Sequence, residues 1–346
     1  MFAGTATQGP PALLYLVGSD SDTRLVFGPD PIPVTGSSDL NQLIDRGTPY
    51  HLMHVTRNFF KQAPGRPNLL TFRTAVNLVT DPDQNPKVLG NIARLLRGFG
   101  GRIVNRPEAV LRSTRDQVAR LLTGIPGLIV PKTLRFRAAT PEIAGRFISR
   151  STLEFPALLR RAGTHTGEFI GMFGTADEAA NALALTGDHI LTEFVDFASA
   201  DGLYRKYRVI FIGEQPIFRH VLVSDHWNVH ASDRMRFMAS RPALIEEEER
   251  ALAAPFAGLP ANAQETLRQV RERMPLDFFG IDFAVAPSGE LLLFEANATM
   301  NFFPFADDPR FAYARDMLKP AQRAMHQLVG VTPPIRHGFV QEDSFG

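Results

Sequence analysis

Hydrophobic and polar positions in the first hundred residues alternate between short apolar runs and one helical stripe. Residues 12–17 (ALLYLV) predict a buried strand, and residues 51–55 and 69–72 predict two more. Residues 88–99 carry apolar side chains at a spacing near 3.6, which predicts an amphipathic helix, and residues 102–105 predict the next strand. Strands that alternate with helices predict a small, mostly parallel α/β sheet.

A later stretch, GIDFAVAPSGELLLFEANATMN, predicts a β-hairpin. Two strand-like runs, IDFAVA and ELLLFEAN, flank residues 287–290 (PSGE), which form a turn sequence. If the first and last turn residues face each other, Ala284 faces Leu293 and Asp282 faces Glu295. This register depends on the turn, because a three-residue loop would move Asp282 to the other face.

The predicted hairpin has one acidic face. Asp282, Glu295 and Asn297 share it, because side chains alternate along a strand. Two carboxylates directly opposite each other repel, and a divalent cation between them removes the repulsion. Oxygen ligands of this kind suit Mg²⁺ or Mn²⁺. The alternative is a solvated hairpin face with no ligand.

Composition narrows the class of protein. The chain has 346 residues, 44% of them hydrophobic, which predicts two or three domains. The 37 basic and 36 acidic residues give a net charge of +1, so no general attraction to nucleic acid or to an anionic membrane is expected. No cysteine is present, which excludes disulfides and thiolate catalysis. No signal peptide and no apolar run near ~18 residues is found, so a cytoplasmic protein is expected.

A loop of small residues lies between two predicted strands, residues 155–159 and 169–172. Arg160 ends the first strand, and the loop then contains Gly163, Thr164, His165 and Gly167. Small residues let backbone N–H groups approach phosphate oxygens, and an arginine adds charge. A plain polar loop is the alternative. The two common nucleotide motifs, G-x-G-x-x-G and G-x-x-x-x-G-K-S/T, are absent from the sequence.

A basic strand is predicted at residues 203–213 (LYRKYRVIFIG). Lys206 and Arg208 share one face of it, where two cations repel each other unless they meet anions. The alternative is a solvated strand end. His226 and His230 lie four residues apart, which is a weak zinc pattern without a third ligand; this stretch more plausibly borders a substrate pocket.

Taken in order over residues 105–325, these parts resemble the ATP-grasp superfamily, which includes glutathione synthetase and D-alanine:D-alanine ligase. The resemblance rests on the acidic strand, turn and Glu-x-Asn of the hairpin, and on the preceding loop and basic strand. It implies an α/β (α+β) ATP-grasp fold with an N-terminal Rossmann-like pre-ATP-grasp domain. The expected divisions are an N-terminal domain at 1–105, a nucleotide lobe at 106–200, a catalytic lobe at 201–330 and a loose tail at 331–346.

The resemblance also implies roles for particular residues. In this family the acidic trio holds two Mg²⁺ ions on the ATP phosphates. Arg160 stands where the family usually has a lysine, and Arg115 stands where a lysine often contacts ATP. Residues 193–195 (Glu193, Phe194 and Val195) match the hinge whose backbone pairs with adenine. Arg208 matches the arginine that supports the transferred phosphate, and Lys206 lies where many members have an acid.

The implied activity is ATP-dependent ligation of a carboxylate to an amine through an acyl phosphate, releasing ADP and phosphate. Two alternatives stay open: phosphotransfer to another acceptor, and nucleotide binding without catalysis. The expected partner is a small molecule or peptide with a carboxylate and an amine. Basic residues around Arg205 and Arg219, with His226 and His230, suggest an acidic or zwitterionic substrate. The resemblance also allows a homodimer.

Overall fold

A computed structural model describes most of the chain, as three sheets with their helices. The described residues are 13–24, 40, 42–45, 48–62, 68–164, 169–183 and 187–331. Two predicted phosphate-loop residues, His165 and Gly167, lie outside them, as does the predicted tail from residue 332 onward. No helix within these ranges is long and apolar enough to cross a membrane.

The first sheet is the predicted parallel sheet. Its four strands follow the order β2-β1-β3-β4 and pair in parallel. The strands are β1 (Leu13–Val17), β2 (Tyr50–His54), β3 (Thr74–Asn77) and β4 (Arg102–Val104), and the helices are α1 (Phe59–Gln62) and α2 (Pro86–Leu95). The strand predicted at residues 69–72 is wrong. The Phe72 N–H donates to the Leu69 carbonyl there and closes a turn, so the strand begins only at Thr74.

The second sheet is antiparallel and carries the residues predicted to bind nucleotide. Its order is β6-β9-β7-β8. The strands are β6 (Thr133–Phe136), β7 (Ala157–Arg161), β8 (Gly171–Phe173) and β9 (His189–Glu193). The helices of this part are α3 (Pro107–Leu111), α4 (Arg115–Leu122), α5 (Pro141–Ser149) and α6 (Ala176–Asn181). Thr140 and Thr175 cap α5 and α6, because each hydroxyl accepts an N–H from the first turn.

The third sheet provides the other wall of the site. It has five strands in the order β11-β10-β12-β13-β5, and only β5 pairs in parallel. The strands are β5 (Leu128–Ile129), β10 (Tyr204–Ile212), β11 (Gln215–Ser224), β12 (Phe278–Val285) and β13 (Leu291–Asn297). Its helices are a π-helical turn (Arg234–Met238), α7 (Pro242–Ala253), α8 (Ala263–Arg273), a 3-10 helix (Pro309–Arg315) and α9 (Leu318–Val329).

The β12–β13 hairpin confirms one predicted pairing and corrects another. Asp282 faces Glu295 as predicted, but Ala284 faces Leu292 instead of Leu293. The loop has three residues, since the Ala286 N–H donates to the Glu290 carbonyl (2.9 Å) around it. A register shift next to Asp282 compensates for that loop. This bulge restores the carboxylates to one face after the loop has displaced the register.

A left-handed asparagine joins the first sheet to the third. Asn105 has a φ of 54° directly after β4, a conformation that asparagine tolerates better than most residues. Its side-chain oxygen accepts the N–H groups of Asp277 and Phe278, both at 2.9 Å. Its side-chain amide donates to the Phe278 carbonyl at 2.7 Å. These bonds fix the start of β12, and therefore the position of Asp282 further along it.

Candidate active site

Two adjoining cavities lie between the second and third sheets, and the described residues of the predicted site each line one or both of them. The larger, the main cavity, has a volume of about 330 Å³, within the range of ordinary ligand sites. The ionisable side chains in its lining are Arg115, Arg160, Glu193, Lys206, Arg208, His220, His230, Asp282 and Glu295. The smaller, the side cavity, measures about 40 Å³ and includes Gly163, Thr164 and Asn297. Arg115, Arg160 and Glu295 line both.

Four side chains form one row across the third sheet. His220 on β11 faces Arg208 on β10, Arg208 faces Asp282 on β12, and Asp282 faces Glu295 on β13. All four line the main cavity, so the row lies on the cavity face of the sheet. Neighbouring side chains in such a row have Cβ atoms roughly 5 Å apart. The row therefore places two adjacent carboxylates beside an arginine and a histidine.

Arg208 and Asp282 form the centre of the row. The Arg208 Nε and one Nη each donate to a separate Asp282 oxygen at 2.7 Å. Asp282 is only 3% exposed, so its charge depends on this bidentate partner. Burial opposes the charge on Arg208, but the Asp282 carboxylate outweighs it and raises the pKa of Arg208. Arg208 lines the main cavity, and its role in supporting the transferred phosphate stays a prediction.

Lys206 lies two residues before Arg208 in β10, so the two side chains are on the same face of the strand. Its Nζ is 4.0 Å from Asp282 and donates to the Val229 carbonyl of the loop that follows β11. Burial lowers the pKa of Lys206, and the nearby Arg208 charge acts in the same direction. A partly desolvated ammonium of this kind is a strong point of attraction for phosphate oxygens.

Glu295 has an arginine of its own. Its carboxylate accepts a hydrogen bond from Arg115, which stands at the start of α4 and also donates to the Phe294 carbonyl at 2.9 Å. The Asn297 side-chain oxygen accepts the Thr299 N–H and hydroxyl at 2.9 and 3.0 Å. Both carboxylates of the predicted metal set are thus paired with arginines.

The predicted metal ligands fit Mg²⁺ by the chemistry of their donors. Asp282 and Glu295 offer oxygens from adjacent strands, and Asn297 follows two residues later. No group of three or more His, Cys, Asp or Glu side chains suited to a metal exists within the described residues. Mg²⁺ is usually held by one or two carboxylates together with substrate phosphates, so a complete protein cage is not required. The metal role of these residues stays a prediction.

Arg160 is the least compensated charge in the site. Its side chain is 8% exposed and stacks on the Phe169 ring at 4.2 Å. Its Nε is buried without a hydrogen-bond partner among the described residues. Burial, followed by the positive charge of Arg115, lowers the pKa of Arg160 to about 9. A buried cation in this state favours an anionic ligand.

The described part of the predicted phosphate loop contacts the first sheet. Gly163 has a φ of 76°, and its carbonyl accepts a hydrogen bond from Gln84 Nε2 at 2.7 Å. A side chain at this glycine would approach Asp83 at 3.2 Å. The Thr164 hydroxyl donates to the Arg161 carbonyl at 2.9 Å. The turn at residues 81–84 therefore holds the start of the loop beside the side cavity.

The predicted adenine hinge lies in the main cavity, but two of its N–H groups are already used. The Glu193 N–H donates to the Lys132 carbonyl at 3.0 Å, and the Phe194 N–H donates to the Pro156 carbonyl at 2.9 Å. The Val195 N–H has no partner within the described chain. If the hinge reads adenine, as predicted, the Val195 N–H and the hinge carbonyls are the groups that remain.

The histidine-rich stretch borders the cavity as expected. Trp227, Asn228 and His230 line it. The Trp227 ring lies 5.4 Å from both Phe169, two residues before β8, and Phe194 of the predicted hinge. The weak zinc pattern gains no support among the described residues, where no metal-binding cluster occurs.

Two arginines suggested for substrate recognition serve the fold instead. Arg205 pairs with Asp201 and Glu247 at 2.8 and 2.6 Å. Arg219 donates to the Phe302 carbonyl at 2.6 Å. Neither contributes to the lining of the main cavity.

His220 is a cavity residue that the sequence analysis did not assign. The sequence shows only that His220 follows the basic strand within a second apolar run. The pairing of β10 with β11 is what places it opposite Arg208.

Comparisons with known proteins give a clear result for the fold. No protein-family model matches the sequence, and no curated protein matches it. Among solved structures, D-alanyl-alanine synthetase A from Vibrio cholerae is 14% identical over 92% of this chain and 97% of its own, with a TM-score of 0.53. The ATP-grasp ligase PsnB, complexed with a phosphomimetic variant of its minimal precursor, Mg and ADP, is 13% identical over 94% and 100%, with a TM-score of 0.52. A RimK domain ATP-grasp protein from Sphaerobacter thermophilus is 14% identical over 92% and 99%, with a TM-score of 0.51. The chain therefore has the ATP-grasp fold.

Proposed function

We propose that the protein is an ATP-dependent ligase that joins a carboxylate to an amine. One observation carries this proposal: the main cavity holds a buried excess of positive charge. Arg115, Arg160, Lys206 and Arg208 contribute four positive charges, and Asp282 and Glu295 contribute two negative charges, which leaves +2. Glu193 also lines the cavity, but it is not counted because its carboxylate lies 3.6 Å from Lys132 and the two charges offset each other. Lys132 itself does not line the cavity. A desolvated excess of this size suits polyphosphate.

The positions of the site residues support a different role for each of them in binding ATP and transferring its γ-phosphoryl group. Arg160 and Lys206 bind and orient the phosphates of ATP, and Arg208 neutralises the charge that develops on the transferred phosphoryl group. Mg²⁺, held by Asp282, Glu295 and Asn297, would supply further neutralisation of phosphate charge.

The reaction that follows needs no protein nucleophile. A substrate carboxylate attacks the γ-phosphorus, which gives an acyl phosphate and ADP. An amine then displaces phosphate and forms the amide. The fold comparisons support this proposal, since the neighbouring structures carry the names of ligases, and one is a complex with Mg and ADP.

The substrate is inferred to be a small molecule or peptide that carries both groups. The D-alanyl-alanine synthetase is a precedent for a small-molecule substrate, and the complex of PsnB with its precursor peptide PsnA2 is a precedent for a peptide. The division into the four predicted segments, the use of Mn²⁺ and a homodimer stay predictions.

A second function has a specific observation in its favour. Both carboxylates of the predicted metal set are already bound by arginines, Glu295 by Arg115 and Asp282 by Arg208. A site that keeps these pairs when nucleotide binds would hold ATP without turning it over. The protein would then be a nucleotide-binding protein without ligase activity.

The test is phosphate release from ATP and Mg²⁺ across a panel of amino acids and short peptides. Release that depends on one carboxylate and one amine supports the ligase, and Glu295→Ala should abolish it. Glu290→Gln, in the same hairpin but outside the cavity lining, is the matched control. ATP binding without release under any pair would favour the second function. Absence of ATP binding would refute both.

A further inference from the structure

The two ends of the row across the third sheet carry different chemical groups. Glu295 and Asp282, the predicted metal ligands, occupy one end, Arg208 follows, and His220 occupies the other end. If Arg208 supports the transferred phosphoryl group, the acyl phosphate lies beside it, with the metal on one side. The position on the other side is that of His220, where the second substrate can approach the acyl carbon without crossing the phosphates.

His220 is a buried side chain of the cavity wall whose Nε2 makes no hydrogen bond among the described residues. It is 8% exposed. Buried polar nitrogens normally have a partner, so an orphan in a cavity wall points to a ligand. Lysine and arginine carry donors and no acceptor, whereas a neutral imidazole carries one acceptor nitrogen. His220 therefore brings an acceptor to a wall that Lys206 and Arg208 otherwise supply with donors.

The charges around His220 keep its ring uncharged. Burial comes first and lowers its pKa well below the ordinary value, and four cations act in the same direction. They are Arg208 and Lys206 from β10, Arg219 from its own strand, and Arg234 from the π-helical turn. Arg234 is itself paired with Glu248 of α7. A neutral imidazole can accept a proton at the pH where an amine substrate reacts.

We propose that His220 contacts the amine substrate and accepts its proton as the amide forms, an inference that rests on the proposed ligase function. The amine nitrogen attacks the carbonyl carbon of the acyl phosphate, and the C–N bond forms. The C–O bond to phosphorus-bound oxygen breaks, and inorganic phosphate leaves with that electron pair. One N–H proton passes from the nitrogen to the imidazole of His220, which later returns it to solvent. No further reactant is needed.

The experiment compares two nucleophiles on one acyl phosphate. Wild type and His220→Asn receive ATP, Mg²⁺ and the carboxylate substrate, with either the amine substrate or hydroxylamine. Hydroxylamine is uncharged at neutral pH and loses its proton easily, so it needs little help from a base. We expect amide formation to fall by about a hundredfold or more in the variant, the range for loss of a general base. Hydroxamate formation should stay within about threefold of wild type.

Further variants separate chemistry from folding. His326→Asn removes another buried histidine, whose Nε2 makes no hydrogen bond among the described residues and lies 3.7 Å from Asp45. His326 lines neither cavity, so both products should be unchanged. His220→Ala should regain part of its amide formation when free imidazole is added. Because burial and the four cations lower the pKa of His220, the wild-type rate of amide formation should lose its His220-dependent part only at a pH well below the ordinary imidazole value of about 6.5. His220→Asn should lack this acid limb.

Three results would overturn the proposal. Equal loss of amide and hydroxamate would make His220 a structural residue, and equal retention of both would make it irrelevant. His230→Asn is the third case: if it alone reproduces the selective loss of amide, the proton acceptor is His230, which also lines the cavity. A wild-type protein that forms neither product would refute the ligase itself, and the role of His220 would fall with it.

Discussion

Replacing Arg160 with methionine should change two properties in opposite directions. Methionine keeps an apolar side chain of similar length against Phe169 but removes a buried charge whose Nε has no hydrogen-bond partner among the described residues. The pKa of Arg160 is lowered to about 9 from an arginine value ordinarily above about 12, and each pKa unit corresponds to about 1.4 kcal/mol. Holding this charge therefore costs the nucleotide-free protein on the order of 4 kcal/mol.

The nucleotide-free protein should accordingly become more stable when the charge is removed. Even the replacement of a buried ion pair by apolar groups of similar volume is often neutral or stabilising by about 1–4 kcal/mol, so removal of the Arg160 charge should stabilise the protein. ATP binding should weaken at the same time, because hydrogen bonds to charged groups contribute about 1.5–3 kcal/mol. That loss corresponds to roughly a ten- to hundredfold rise in Kd.

Thermal unfolding without nucleotide and calorimetric titration with a non-hydrolysable ATP analogue measure the two effects. Arg160→Lys restores the charge and should recover most of the affinity. Arg146→Met, an exposed arginine on α5, is the control and should change neither property. If Arg160→Met lowers the melting temperature and leaves the affinity intact, Arg160 is a structural residue and the excess-charge argument is wrong.

Further predictions concern the buried charges and the metal. Arg208→Met should cost about 3–5 kcal/mol of stability, because it leaves Asp282 charged and buried without its partner; denaturant unfolding measures this, and Arg208→Met with Asp282→Asn should recover part of the loss. Glu248→Ala should cost a similar amount, since Glu248 is fully buried against Arg234; an unchanged unfolding midpoint would contradict it. The pKa of His220 is lowered in the folded state, so the unfolded chain takes up a proton first, and stability present above about pH 6.5 should fall as pH drops below that value. This slope of unfolding free energy against pH should be smaller in His220→Asn. Chelation of Mg²⁺ should stop phosphate release, and added Mg²⁺ should restore it; release that persists in chelator would exclude the metal role.

The sequence alone predicted the parallel first sheet and the β12–β13 hairpin, because short apolar runs, the helical stripe and the turn residues are local signals. The apolar run at 12–17 forms a strand that is buried throughout, and the stripe at 88–99 buries one face of α2, so both patterns are visible residue by residue. The strand predicted at 69–72 failed for a local reason as well. Asn68 and Leu69 close a turn there, with the Leu70 N–H donating to the Asn68 side chain, and this turn chemistry outweighed the apolar pattern.

The sequence also determined which chemical groups the site can offer. Asp282, Glu295 and Asn297 carry oxygen ligands, and the basic strand β10 carries cations, whatever the fold. The tertiary structure decided how these groups meet. The cross-strand position of Asp282 and Glu295 results from a three-residue loop whose shift is cancelled by a bulge, and neither feature has a clear local pattern. The pairing of β10 with β11 brought His220 beside Arg208, and burial left the Nε of Arg160 without a hydrogen-bond partner among the described residues. The pairing register of the strands and the burial of charged side chains depend on residues far apart along the chain. Only the folded molecule therefore fixes which charged groups are paired with each other.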